Sequence, residues 1–197
     1  MPPKERLTKE EIVQCAFEQL RRDGYEGLNA RGLAKALGCS TMPLFRHFGT
    51  MEEIRAAAVD QAVRCYSGYI RQGLSEPIPF KGVGKAYIRF AREEPRLFQL
   101  LFMTPNSRVP ELSEGDPNYR SVALVAQRVT GTDLLEAEQI FREMWIFVHG
   151  IATLIVTEKM TFDEDEIGAM LSHVFVGLKQ TNNEENKAKE KQGERNE

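Results

Sequence analysis

Residues 38–48 read GCSTMPLFRHF, and the fold turns on how Pro43 is accommodated in them. Leu44, Phe45 and Phe48 have the spacing of a short helix, yet a proline inside a helix removes a backbone donor and clashes with the preceding turn. That costs about 3 kcal/mol. The cost largely disappears in the first turn, where backbone amides have no partner within the helix. Ser40 is a favourable N-cap, which makes Thr41, Met42 and Pro43 the first three helical positions. The stretch therefore predicts a short helix that begins at Ser40.

The segments on either side give this helix its setting. Upstream, Thr8-Lys9-Glu10-Glu11 has the form of a capping box, and Ile12, Val13, Ala16, Phe17 and Leu20 follow as an apolar stripe. Asp23-Gly24 and Gly27 punctuate. Asn29 can cap a second short helix carrying Leu33, Ala34 and Leu37, and Gly38 stands where a left-handed residue ends a helix. Residues 29–48 thus read as two short helices joined by a glycine turn, a helix-turn-helix behind a capped supporting helix.

Downstream, Glu52-Glu53 open a longer helix through Ile70, with acidic residues at its positive end. Further helices are expected over 83–94, 95–103 and 118–129. Asp133 caps a long helix reaching about Lys159, whose centre, WIFVHGIATLIV, is apolar on all sides and must be buried from several directions. Asp163–Glu166 caps a last helix. The proline-rich stretch over 104–117 reads as a loop, and residues 181–197 lack an apolar face and read as a disordered charged tail. The expectation is an all-α protein: an N-terminal helix-turn-helix domain over 1–50 (the motif itself over about 30–49), a helical domain over 51–180, and the tail.

Composition narrows the function classes. A chain of 197 residues with 42% hydrophobic and 28% charged residues can bury a substantial core. Its apolar runs read as too short, or too broken by charge, to span a bilayer, and its first residues lack the apolar core of a signal peptide. Cys15, Cys39 and Cys65 are odd in number and widely spaced, which suits reduced thiols in a cytoplasm. Net charge is −3, but residues 1–50 carry eight basic and six acidic side chains against eighteen and twenty-three in the remainder. An N-terminal excess of positive charge suits a module that meets phosphate.

The run from Gly27 to Ile54, GLNARGLAKALGCSTMPLFRHFGTMEEI, resembles the DNA-binding module of the tetracycline-repressor (TetR) family of bacterial regulators. The resemblance covers residues 8 to about 60 and rests on the Leu33-Ala34 pair, Gly38, Ser40, the aromatic-x-His-Phe run at 45–48 and the acidic helix that follows. FAREEPRLFQLLF and WIFVHGIATL look like segments of that family's ligand-binding half. Three positions depart from the pattern. Phe45 replaces a usual tyrosine whose hydroxyl often touches phosphate, so Phe45 is assigned to packing. Met51 replaces a common lysine, and Gly32 occupies a helical position normally held by a better helix former.

The resemblance implies a homodimeric regulator, a repressor by expectation, that binds a pseudo-palindromic double-stranded operator and leaves it when a small molecule binds. An α-helix fits the major groove, and residues at its start reach base edges. Thr41, Met42 and Pro43 are the candidates for that contact. Arg31, Arg46 and His47, with the backbone amides near Ser40, are the candidates for phosphate. Leu44 and Phe48 face the module's core.

His149 lies one turn beyond Trp145 and two beyond Phe141 on one helix face. A buried imidazole there must be hydrogen-bonded, either to the core or to a ligand, and both readings stand. Phe98 and Phe102 carry the same two readings. An effector in this region would be apolar or aromatic, with a polar group on His149. Ile167, Leu171, Val174 and Phe175, beside small Gly168, Ala169 and Gly177, are the expected dimer seam. No spacing of His and Cys suggests a metal site, and no cofactor motif, nucleophile–base pair or glycine-rich phosphate loop is found. The competing classes are a helical enzyme using His149 with a carboxylate, and a helical adaptor or small-molecule-binding protein without operator function.

Overall fold

The computed structural model describes residues 7–104 and 116–193, with side chains as far as residue 184. Among these residues the chain forms nine helices and no strand. They are α1 (Lys9–Gly27), α2 (Ala30–Ala36), α3 (Met42–His47), α4 (Met51–Leu74), α5 (Pro79–Glu93), α6 (Pro95–Phe102), α7 (Tyr119–Thr130), α8 (Leu134–Val156) and α9 (Glu164–Gly193). The loop expected over 104–117 falls mostly outside the described residues, as do residues 194–197.

Two compact units result. One holds α1, α2, α3, α4 as far as Ser67, and α6; the other holds the rest of α4, nearly all of α5, and α7, α8 and α9. The first therefore reaches well beyond residue 50, because Tyr66 of α4 and Phe102 of α6 meet edge to face and add to its core. Helix α1 packs on α6, and the two are pinned by Arg21 and Glu94. The guanidinium Nε donates to Glu94 Oε2 at 2.6 Å, and Nη2 donates to Oε1. The Glu94 side chain is 3% exposed, so its charge depends on this bidentate partner. The pairing holds the Arg21 guanidinium firmly protonated.

The local signals in the sequence act as expected at several ends. Thr8 and Glu11 form a complete capping box, with Glu11 N–H donating to Thr8 Oγ1 at 3.1 Å and Thr8 N–H to Glu11 Oε2 at 2.7 Å. The bonds that the Thr8 N–H and hydroxyl donate to the Glu11 carboxylate lower its pKa. Gly24, at φ +77°, breaks α1 near its end. Asp133 and Asp163 cap α8 and α9 by accepting from the amides of Glu136 and Glu166 at 2.9 and 2.7 Å.

In the second unit α8 packs on α7 and α9. At 23 residues α8 is long and apolar enough, by composition alone, to cross a bilayer, contrary to the reading of the apolar runs above. Its Ala137, Ile140, Met144, Val148 and Ala152 are instead buried as one stripe of a core helix. Helix α9 also corrects an expectation. It continues to Gly193, whereas residues 181–193 were expected to be disordered. The segment has no proline and is rich in Glu and Lys, good helix formers that can extend an existing helix without an apolar face.

Candidate functional site: the surface of α3 and the aromatic core of the second unit

The turn between α2 and α3 is built from backbone hydrogen bonds. Cys39 N–H donates to Ala34 O at 2.9 Å and Gly38 N–H to Lys35 O at 3.3 Å, the paired bonds of a Schellman ending. Gly38 takes φ +63°, a conformation that costs glycine little and other residues more. At the other end of α2, Asn29 Oδ1 accepts from Gly32 N–H at 2.9 Å.

Helix α3 starts later than expected. Its N-cap is Thr41, already in helical φ and ψ, and neither Ser40 nor Thr41 supplies a side-chain cap. Pro43 explains the missing cap. A capping oxygen accepts from the second or third helical amide. The second position is Pro43, which has no N–H, and the third, Leu44, already donates to Thr41 O at 3.1 Å. Pro43 still lies in the first turn.

Leu44 and Phe48 are buried, and the Lys9 ammonium sits 4.8 Å above the Phe48 ring. The opposite face is open. Met42 is 64% exposed, Arg31, Ser40, Arg46 and His47 are exposed, and Thr41 and Pro43 are half-exposed. Phe45 is 42% exposed, which overturns its assignment to packing: Leu44 and Phe48 already occupy the inward face of this short helix. Arg46 Nη2 lies 3.8 Å from Met42 Sδ, so the two side chains lie together on the open face. Pro43, Arg46 and His47 also border an open groove shared with Cys15 and Cys39, whose thiols are free. Burial pushes the Cys15 thiol pKa up.

Gly32 has a steric reason that the sequence alone did not reveal. A Cβ there would collide with the buried Gln19 side chain, whose amide donates to Gly27 O at 3.1 Å. Arg55 of α4 reaches the same loop, donating to Leu28 O at 3.0 Å and lying 5.6 Å from the Tyr25 ring centre. The connection between α1 and α2 is thereby tied to α4, while Gly32 keeps α2 close to α1.

Two matches bear on this arrangement. Residues 12–58 match the sequence model for bacterial regulatory proteins of the tetR family. Residues 80–176 match that for the tetracyclin repressor-like C-terminal domain. The chain belongs to the TetR family of transcriptional regulators. TetR-family proteins are regulators and not enzymes, with an N-terminal helix-turn-helix that binds DNA and a helical ligand-binding half. Among curated relatives, an uncharacterized HTH-type transcriptional regulator of Mycobacterium tuberculosis is 26% identical over 184 residues, 88% of this chain and 80% of that protein. Among solved structures, a TetR variant of Acinetobacter baumannii AYE in complex with minocycline is 18% identical, covers 92% of this chain and 98% of its own, and superposes with a TM-score of 0.48. AmtR of Mycobacterium smegmatis is 20% identical over 89% of both chains, with a TM-score of 0.44.

The residues expected to hold the TetR effector divide between the two units. Phe98 and Phe102 are buried in the first, 5.2 Å apart by ring centres, with Tyr66 against Phe102. Phe141, Trp145 and His149 are in the second. The His149 ring stacks on Trp145 at 4.7 Å, and its Nδ1 is hydrogen-bonded to the Tyr87 hydroxyl at 3.0 Å. Burial lowers the His149 pKa and so favours the neutral ring. Tyr87, absent from the expected site, supplies the hydrogen bond to Nδ1 of this imidazole.

The expected dimer seam also changes. Ile167 and Leu171 are 1% and 2% exposed within the single chain, because α9 turns them inward, so their apolar area is already used. Val174 and Phe175 are half-buried. Ile146, Val176, Gly150, Ala169 and Gly177 are among the small and apolar residues of α8 and α9 that face outward.

Proposed function

We propose that this TetR-family chain is a cytoplasmic, homodimeric repressor that leaves a pseudo-palindromic operator when a small molecule occupies its second unit. The observation that carries the reading is the two-faced α3. Leu44 and Phe48 anchor it, while Met42, Phe45, Arg46 and His47 are turned to solvent and Thr41 is half-exposed. Thr41, Met42 and Pro43 at its start are assigned to base edges, where a hydroxyl and apolar groups suit a thymine methyl. Arg31, Arg46 and His47, with the backbone near Ser40, are assigned to phosphates. The functional division at residues 1–50 and 51–180 belongs to the same reading.

Dimerisation follows from the symmetry of a palindrome, whose half-sites need two like helices about one helical turn of DNA apart. The outward residues of α8 and α9 support the seam: Ile146 and Val176 offer apolar area, and Gly150, Ala169 and Gly177 permit close approach. Fluorescence anisotropy with DNA from upstream of the chain's own coding sequence tests the reading. Binding is expected to be sequence-specific and to weaken steeply with salt as counterions are displaced. Equal affinity for that DNA and for random duplex would remove the regulator assignment.

A further inference from the structure

The second unit contains a cavity of about 170 Å³ where α5, α7, α8 and α9 meet. Its wall is almost wholly apolar: Phe80 from α5, Val129 from α7, Met144 from α8, and Leu171 and Phe175 from α9. The Phe80 ring packs against Phe141 on one side and Phe175 on the other, so the wall is braced by aromatic contacts. Ile78 and Val176, both largely exposed, lie at its rim. An apolar cavity of about 150 Å³ stays dry and accepts a benzene ring. This one has room for a single six-membered ring.

One cation interrupts the apolar wall. Lys81 is half-buried and lines the cavity, with its Nζ donating to Ser172 Oγ at 2.9 Å. Ser172 in turn donates to Gly168 O at 2.9 Å, so its hydroxyl is fixed with its lone pairs toward the ammonium. Among the described residues no carboxylate lies within ion-pair distance of Lys81, whereas the neighbouring Lys85 and Arg92 share Glu164 at 3.8 and 2.7 Å. A half-buried ammonium with a single hydroxyl partner retains unused donors in a place where water is partly excluded. An anion delivered to it would gain charge-assisted hydrogen bonds.

We infer that this cavity is a binding site for a small aromatic monocarboxylate, its ring among Phe80, Met144, Leu171 and Phe175 and its carboxylate on Lys81. The inference rests on the effector reading above and moves the effector away from His149, whose Nδ1 is already hydrogen-bonded to Tyr87. It also supplies a route to the operator. The ring presses on Phe175, next to Val176 on the outward face of α9, so occupancy is felt at the proposed seam.

Calorimetric titration of the full chain with sodium benzoate, benzamide and sodium acetate separates the two contributions. Benzoate is expected to bind about tenfold tighter than benzamide, the ratio that a charged hydrogen bond supplies. It is also expected to bind more tightly than acetate, which lacks the ring. Lys81→Met should make benzoate and benzamide equal while leaving the melting temperature of the free protein unchanged, and Lys81→Arg should keep the preference. Equal binding of benzoate and benzamide by the wild type, or a preference that survives Lys81→Met, would overturn the site, as would acetate matching benzoate. Operator affinity of the ligand-free protein is measured separately. Its absence alongside a Lys81-dependent benzoate preference would remove the regulator reading and leave this one standing.

Discussion

The two units carry their functional surfaces in opposite ways. In the first, the chemistry is on the outside: α3 is a six-residue helix held by two buried side chains, with polar, basic and apolar groups turned to solvent. In the second it is inside, where long helices enclose an apolar cavity with one lysine in its wall. An outward surface can be changed residue by residue at little cost to folding. An inward site shares its residues with the core, so ligand chemistry and stability are bound together.

The largest expected effect attacks the anchor of the outward surface. Leu44→Ala should cost about 3 kcal/mol of folding stability, because a fully buried leucine leaves a cavity, and urea denaturation would measure it. A loss below 1 kcal/mol would mean that α3 is not held as described. Next is the pin between α1 and α6. Arg21→Ala strands the Glu94 carboxylate and should cost about 2 kcal/mol, discounted because Arg21 is itself nearly half exposed. Adding Glu94→Gln should recover part of that loss, and a double variant no better than the single one would refute the explanation.

A purely outward change should separate binding from stability. Arg46→Ala is expected to leave the free energy of unfolding within about 0.5 kcal/mol of wild type. It should also weaken DNA binding about equally across sequences and reduce the salt slope by about one. Thr41→Ala, by contrast, should mainly relax base preference. If Arg46→Ala lowers stability substantially, the contrast between the units fails at its clearest point.

The smallest effect concerns His149. Burial lowers its folded pKa below the ordinary 6.5, so the unfolded chain takes up a proton that the folded chain resists. Its contribution to stability is therefore complete above about pH 6.5 and is lost as pH falls through 6.5 toward the folded value. Tyr87 and Trp145 are its described ring neighbours, and neither supplies a charge to offset this. Thermal melts between pH about 7.5 and about 5.5 should show a steeper decline for wild type than for His149→Phe. Parallel curves would remove the histidine from the account.

Local chemistry determined much of this protein from the sequence alone. Thr8 with Glu11, Asn29, Gly38, Asp133 and Asp163 mark helix ends because a cap needs only groups within a few residues of chain, and each of them acts as read. The first-turn position of Pro43 follows from the same logic, although the cap is Thr41 rather than Ser40 and no side chain caps the helix. Burial was another matter. The sequence shows which residues are apolar, but on helices with apolar groups on several sides only the neighbouring helices decide which are covered. Tertiary packing turned Phe45 outward, drew Ile167 and Leu171 into the core, gave Gly32 its purpose beneath Gln19, and placed Lys81 in an apolar wall with Ser172 as its partner. Capping acts over a few residues of chain, whereas burial and charge pairing act across segments tens of residues apart.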